Sequence, residues 1–261
     1  MTKKIRKRTL RIVLLVGTVV SLFFVSWLLV KAWVSPLPNL VHEQVDETIE
    51  HRMQSEISYK STYTDKHTNG DRFIFFIHNR FLEEHELNES HPEFGRTEYH
   101  KILKEFEKRG FKVISEKRNG NVNAREYAIE IVNQIDSLLK SGIDPKKITV
   151  VGTSKGGYIA QYVSTLANNL DLNFVFVASF RESDLEMIPD INFCGNILTI
   201  YEKTDPYGVS AIGRKDISSC DIRNFREIEL DTEMGHGFLF KPLDEWIEPT
   251  IQWASGNYGF E

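Results

Sequence analysis

The sequence predicts an α/β protein in which a mostly parallel β-sheet is covered by helices on both faces. Nearly continuous apolar runs recur along the chain, as expected of strands that are buried on both faces. Amphipathic helical segments alternate with these runs, which is the order that builds a parallel sheet. The run at 147–153 leads through a glycine-rich turn directly into a helical pattern, so the sheet has a recognisable strand–turn–helix unit.

The individual elements follow from hydrophobic periodicity and from the glycines and polar residues that bound them. Strands are predicted at 72–78, 111–115, 147–153, 173–179, 196–201 and 226–230, with an edge strand at 56–64. Helices are predicted at 99–109, at 124–139, from the turn after 153 through 166, and at 243–253. The loops that carry function should lie at the carboxyl ends of the strands. The segment between 179 and 196 is short, which argues against a large helical cap and for an open, shallow site.

The composition is that of an ordinary globular protein. The chain has 261 residues, of which 41% are hydrophobic and 26% charged, and its formal net charge is -5. A protein that binds nucleic acid usually has a basic face or stripe, so we predict no nucleic-acid partner.

The N-terminal region differs from this average and predicts a membrane anchor. Six basic side chains lie within residues 1–11, and an apolar segment follows at 12–34, long enough to cross a bilayer as a helix. The positive-inside rule places the tail in the cytoplasm, and therefore the folded domain on the periplasmic or extracellular side. A cleaved signal peptide is the alternative, although its apolar region is usually shorter. Residues 35–50 are predicted to be a linker, and residues 51–261 the folded domain.

The turn at 152–156 matches the nucleophile-elbow pattern G-x-S-x-G through Gly152, Ser154 and Gly156. Small residues allow the tight turn that lifts a serine oxygen clear of the sheet. The strand before it and the helix after it are the context that this pattern requires. Ser154 is therefore the candidate nucleophile.

A serine hydroxyl needs a base to take its proton and an acid to orient that base. His236 is the only histidine after the elbow and lies between Gly235 and Gly237, after the last predicted strand. Asp205 follows a late strand, in a turn with Pro206 and Gly208, and is the preferred acid. Asp231 and Glu233 also lie near His236 in sequence, but the turn after the last strand accounts for them. Glu202 is a third rival, and it lies too close to the end of its strand to reach the histidine.

The anion formed during acyl transfer needs two hydrogen-bond donors. The backbone N–H of Lys155, directly after the nucleophile, is one candidate, and a backbone N–H of Asn79 or Arg80, after the first strand, is the other. The choice between Asn79 and Arg80 stays open. The Lys155 side chain itself is expected to be ion-paired or solvent-facing.

The sequence predicts neither a cofactor nor a metal ion. The segment 83–100 is dense in His and Glu but lacks a metal-binding spacing, which favours a polar loop beside the site. Cys194 and Cys220 would lie outside the cytoplasm, where a disulfide can persist. Pairing and two buried free thiols remain equal alternatives, because a sequence does not give the Cα separation that a bridge needs.

The elbow, Asp205 and His236 together resemble the α/β-hydrolase superfamily in residue type and chain order. The chain is also similar to exported bacterial hydrolases of unassigned substrate, through His78-Asn79-Arg80, Pro92 to Gly95 and the elbow itself. The first resemblance implies the α/β-hydrolase fold and hydrolysis of an ester, on a small molecule or an envelope component, through an acyl-enzyme. The early loop departs from the His-Gly-Gly-Gly form of many esterases. A thioesterase or serine peptidase with the same triad, and a membrane-anchored binding protein without activity, are the alternatives.

Overall fold

Six parallel strands form the central sheet of the computed structural model, which describes residues 70–260. The strands are β1 (Arg72–Ile77), β4 (Phe111–Ile114), β5 (Ile148–Thr153), β6 (Asn173–Val177), β7 (Gly195–Glu202) and β8 (Ile222–Leu230). Their spatial order is β4-β1-β5-β6-β7-β8. Every neighbouring pair is parallel, so the predicted parallel α/β sheet is confirmed.

Helices connect the strands. They are α1 (Arg80–Glu84), α2 (Tyr99–Lys108), α3 (Ala124–Lys140), α4 (Lys155–Ala167), α5 (Asp184–Met187), α6 (Ile212–Ile217) and α7 (Asp244–Ala254), with 3-10 turns at Pro145–Lys147 and Gly235–Phe240. A small antiparallel pair, β2 (Ser90–His91) and β3 (Gly95–Arg96), lies beside the sheet. The predicted anchor, the linker and the predicted edge strand at 56–64 lie outside the described residues.

The core fills both faces of the sheet because consecutive strand residues point to opposite sides. Ile74 and Phe76 of β1 belong to a buried cluster with α2 and α7, in which the Phe106 and Trp246 rings lie 6.3 Å apart. Phe73 and Phe75 alternate with them and are equally buried. Helices α3 and α4 contact each other, and α4 packs along β5 and β6.

Two predictions about the elements are corrected. Strand β8 begins at Ile222, four residues before the predicted start at Arg226. Among the strands of residues 70–260 it lies at the edge and pairs with β7 alone. Arg223 is therefore exposed and Asn224 half-buried, and these polar residues interrupt the apolar pattern of the strand. The segment 83–100 is also more than a polar loop. It begins within α1, contains the β2–β3 pair, and has Glu83 buried.

The short connection predicted between β6 and β7 is confirmed, since it holds only the single-turn helix α5. Between residues 70 and 260, none of the helices combines the length and the hydropathy that crossing a membrane requires.

Candidate active site

The elbow turn places Ser154 at the carboxyl end of β5, just before α4. Its backbone has φ 51° and ψ -120°, a conformation that is costly for a residue with a side chain. Close packing enforces this turn. A Cβ atom added at Gly156 would lie 2.0 Å from the Ile77 carbonyl oxygen, and one at Gly152 would lie 2.2 Å from the Gly156 oxygen. The two motif glycines therefore let α4 approach β1 and its own strand closely enough to hold the serine.

Three side chains that are far apart in sequence meet at this turn. His236 Nε2 lies 2.9 Å from Ser154 Oγ. His236 Nδ1 lies 2.7 Å from Asp205 Oδ2. A carboxylate can only accept, so with Asp205 ionised His236 donates from Nδ1, and its Nε2 is left to accept the serine proton. This arrangement is the one that activates a serine nucleophile.

Asp205 and His236 are both held by their own loops. Asp205 is 4% exposed, and its Oδ1 accepts a hydrogen bond of 2.8 Å from the Tyr207 backbone N–H. His236 is 8% exposed and lies on the 3-10 turn after β8. The rings of Tyr207 and Phe94 flank its imidazole, with centroids 5.3 and 5.9 Å away. The imidazole therefore has one orientation that serves both partners.

The rival acids lie elsewhere. The Asp231 side chain is 64% exposed and forms an ion pair of 3.0 Å with Lys203 on the surface. Glu233 occupies the turn after β8 with φ 57°. Neither is the carboxylate that contacts His236, so the structure brings together the preferred set of Ser154, Asp205 and His236.

The two candidate oxyanion segments border the same site. Asn79 caps α1 by accepting a hydrogen bond of 3.1 Å from the Leu82 N–H, and Arg80 is the first residue of that helix. Lys155 is the first residue of α4. The first N–H groups of a helix have no partner within the helix, so they are available to a ligand. Asn79 and Arg80 line the cavity that contains Ser154 and His236.

Aromatic side chains form most of this cavity, whose volume is about 250 Å³. The Phe94 and Phe240 rings lie 5.5 Å apart, and the His91 ring stacks on Phe94 at 4.4 Å. Phe81 closes the cluster at 5.9 Å from Phe240. We refer to these four side chains, Phe81, His91, Phe94 and Phe240, as the aromatic pocket.

Sequence reasoning considered Glu202 only as a rival acid and missed that its buried carboxylate joins the acid loop to the histidine loop. Glu202, at the end of β7, is 1% exposed. Its Oε2 accepts from the Thr204 N–H at 2.7 Å and from the Thr204 hydroxyl at 2.6 Å. Its Oε1 accepts from the backbone N–H groups of Thr232 and Glu233, each at 3.2 Å. One side chain thus fixes the loops that present Asp205 and His236, and no sequence signal separates it from an ordinary strand-end glutamate.

A second buried group, His78, lies behind the oxyanion loop, and its role there was not predicted from the sequence. His78 Nδ1 donates to the Asn79 carbonyl at 2.7 Å, and its Nε2 accepts from the Arg118 N–H at 2.8 Å. Burial, and then the nearby Arg118 charge, lower the pKa of His78 from 6.5 to about 3. The ring is therefore neutral at physiological pH. It forms a hydrogen-bond bridge between the loop after β1, at Asn79, and the loop after β4, at Arg118.

The cysteines form a disulfide in the structure, with Cα atoms 5.2 Å apart. Both precede strands, Cys194 before β7 and Cys220 before β8, so the bond lies at the opposite end of the sheet from Ser154. Among residues 70–260, no three His, Cys, Asp or Glu side chains lie close enough to hold a metal ion.

Comparison with known proteins identifies the fold. No protein-family model matches the sequence. A search of curated proteins finds no match either. A solved arylesterase structure is similar with a TM-score of 0.50 and 17% identity, covering 74% of this chain and 77% of the arylesterase. Esterase B from Lactobacillus rhamnosis, in a structure with a tributyrin phosphonate, gives a TM-score of 0.50 and 11% identity, covering 83% of this chain and 94% of the esterase. The chain has the α/β-hydrolase fold, as its elbow pattern predicts.

Proposed function

We propose that the protein is a membrane-anchored serine hydrolase that cleaves carboxylic esters through an acyl-enzyme. The observation that carries this proposal is the hydrogen-bonded series Ser154–His236–Asp205 on a strained elbow. Two proteins that share the fold are an arylesterase and an esterase, so an ester is the first substrate class to test.

In this mechanism His236 Nε2 takes the Ser154 proton as the oxygen attacks the ester carbonyl. The proton then passes to the leaving alcohol, and the acyl group stays on Ser154. A water activated by His236 releases the acid and regenerates the serine. Asp205 keeps the imidazole in the tautomer that can accept at Nε2 and stabilises the imidazolium. The Lys155 N–H and a second N–H from Asn79 or Arg80 stabilise the tetrahedral anion.

The aromatic pocket supports a small apolar substituent on the ester. Its volume of about 250 Å³ lies below the usual range for drug-sized ligands. We therefore expect short-chain or single-ring esters to be preferred over long-chain lipids.

The N-terminal segment supports the anchored form, with the hydrolase domain outside the cytoplasm. Its apolar length suits a retained span, and its basic flank suits a cytoplasmic tail. The full-length protein should stay in the membrane pellet after an alkaline carbonate wash. Release into the supernatant would favour cleavage or peripheral attachment.

The central experiment treats purified full-length protein with a fluorophosphonate probe and measures hydrolysis of acetyl, butyryl, benzoyl and dodecanoyl esters. We expect the probe to label the wild type, and Ser154→Ala to lose both labelling and turnover. His236→Ala should lower kcat by about a thousandfold or more, because the triad acts as a unit. Labelling that persists in Ser154→Ala would show that another residue is the nucleophile.

A matched pair of variants tests the acid. Asp205→Asn should lower kcat by at least about a hundredfold, because an amide does not enforce the productive tautomer. Asp231→Asn should leave kcat unchanged, since that side chain is on the surface. The reverse result would make Asp231 the acid. A wild type that neither reacts with the probe nor turns over any ester or thioester would favour the binding-protein alternative.

A further inference from the structure

Charged side chains that take no part in the proposed chemistry are buried directly behind the oxyanion segments. The side chains of Glu83 and Arg118 are 0% and 1% exposed, and that of Lys155 is 16% exposed. Removing such ions from water is costly, and a buried pair is often no more stabilising than apolar packing. A role in fixing the local arrangement is therefore a better explanation than added stability.

Glu83 is the centre of this group. Its Oε1 accepts hydrogen bonds of 2.6 Å from Lys155 Nζ and of 2.6 Å from the Val122 backbone N–H. Its Oε2 lies 3.4 Å from the Arg118 guanidinium. Lys155 Nζ also donates to Asn121 Oδ1 at 2.9 Å. The Lys155 side chain is thus held at two acceptors.

The ion pair between Lys155 and Glu83 connects the two segments that carry the proposed oxyanion donors. Lys155 follows Ser154 directly, and its backbone N–H is the first proposed oxyanion donor. Glu83 lies on α1, the five-residue helix whose cap Asn79 or first residue Arg80 is the proposed second donor. The Lys155–Glu83 pair therefore joins, by side chains, the two segments whose backbone N–H groups must converge on one oxygen atom.

We propose that Lys155 and Glu83 are a positioning pair that sets the separation of the two oxyanion donors; this inference rests on the proposed serine hydrolase function. Neither residue lines the cavity that contains Ser154 and His236, so the pair acts through the backbone of α1 and α4. The oxyanion exists only in the transition state, so misplaced donors lower kcat and leave ground-state binding nearly unchanged. A displacement of about 1 Å at such a site can cost about a hundredfold in rate.

The test compares Lys155→Met, Glu83→Gln and the double variant with the wild type, all as full-length protein. We expect kcat to fall by roughly 10- to 100-fold in each single variant, with KM changed by less than about threefold. The rate of fluorophosphonate labelling should fall in parallel, because phosphonylation passes through the same oxyanion hole. The loss of kcat in the double variant should be clearly smaller than the product of the two single losses, since both changes break the Lys155–Glu83 pair.

Two further variants separate positioning from a structural role. Lys155→Arg keeps the charge and should retain most of the turnover. Glu248→Gln breaks the distant surface pair with Arg109 and should change neither kcat nor labelling. Thermal unfolding of every variant records the structural effect, and if Glu83→Gln fails to fold, Lys155→Met supplies the answer alone.

These experiments distinguish failure of the positioning role from failure of the proposed serine hydrolase function. A wild type without labelling or hydrolysis would overturn both proposals. A reactive wild type whose Lys155→Met variant has a lower melting temperature but the same kcat and labelling rate would overturn the positioning role only. A change confined to KM would make Lys155 a substrate-binding residue instead.

Discussion

At the scale of single residues, the site depends on side chains and backbone angles that would be unfavourable in isolation. Ser154 has a left-handed φ of 51°, and the structure tolerates it because Gly152 and Gly156 remove the atoms that would collide. His78 is buried and neutral, and both of its ring nitrogens are used. In each case local strain or desolvation is offset by contacts that place a backbone segment of the site.

His78 gives a prediction about stability at low pH. Its pKa is lowered from the ordinary 6.5 to about 3 in the folded protein, so the unfolded chain binds the proton more tightly. The stabilising effect is full above pH 6.5 and is lost as the pH falls towards about 3. Over that window the free energy of unfolding should drop by on the order of 1 kcal/mol per pH unit because of this group.

Denaturant unfolding at several pH values measures this slope. In His78→Gln the amide oxygen can still accept from the Arg118 N–H, and the slope between pH 6 and 4 should become shallower by about that amount. His100→Gln removes an exposed histidine, and its free energy of unfolding should depend on pH with the same slope as that of the wild type. Equal slopes in all three proteins would mean that His78 titrates normally in the fold.

At the scale of elements, the strand ends and the helix starts do most of the positioning. Ser154 lies between β5 and α4, while Asp205 and His236 lie on loops after β7 and β8. Loops alone would leave the latter two mobile, and the Glu202 carboxylate ties both loops to the end of β7 through four donors. The arrangement of Ser154, Asp205 and His236 therefore depends on a buried carboxylate that bonds the two loops and not their reactive side chains.

Glu202→Gln should lower kcat roughly tenfold. Both carboxylate oxygens accept hydrogen bonds, and the NH2 group that replaces one of them cannot accept, so one of the two loops loses its hydrogen bonds to this side chain. The melting temperature should also fall, since buried donors lose their acceptor. Glu229→Gln is the matched control. It removes a carboxylate on neighbouring β8 that bonds the Tyr201 hydroxyl at 2.7 Å, and kcat should not change. Unchanged turnover in Glu202→Gln would assign the residue to stability alone.

At the scale of the whole molecule, the disulfide and the candidate active site lie at opposite ends of the sheet. The disulfide joins segments before β7 and β8, whereas the triad lies after β5, β7 and β8. The two sites are at opposite ends of the same strands. A change at the disulfide should therefore affect unfolding without reaching the catalytic loops.

Replacement of both cysteines by serine should destabilise the fold while keeping kcat. For a sequence separation of 26 residues, the chain-entropy model gives about 3.5 kcal/mol of stabilisation by the bond. Denaturant midpoints of wild type and double variant measure this difference, and ester turnover is followed in parallel. A marked loss of kcat in a folded double variant would contradict the separation of the two ends.

Much of the fold was predictable, for a definite physical reason. Strands of a parallel sheet are buried on both faces, so their apolar runs are conspicuous in β1, β5 and β6. The edge strand β8 lacks that burial. Its first residues are mostly polar, so the sequence pattern did not indicate that the strand begins at Ile222. The meeting of Ser154, Asp205 and His236 was predictable because a serine nucleophile needs one base and one acid, and His236 was the only histidine after the elbow.

The ion pair of Lys155 was one of two expectations, but its partner and the burial of that partner could not be predicted, since charged side chains in a sequence usually indicate solvated surface. Glu83 and Lys155 are 72 positions apart, and their contact exists only because α1 and α4 meet beside β1 and β5. The Cys194–Cys220 pairing likewise required the Cα separation that the packed strands set. The sequence by itself determined the strand–helix order and the candidate triad, because periodicity and residue chemistry are local. Only the tertiary structure decided which buried charges and sulfur atoms meet, because strand pairing and the packing of helices on the sheet bring distant residues together.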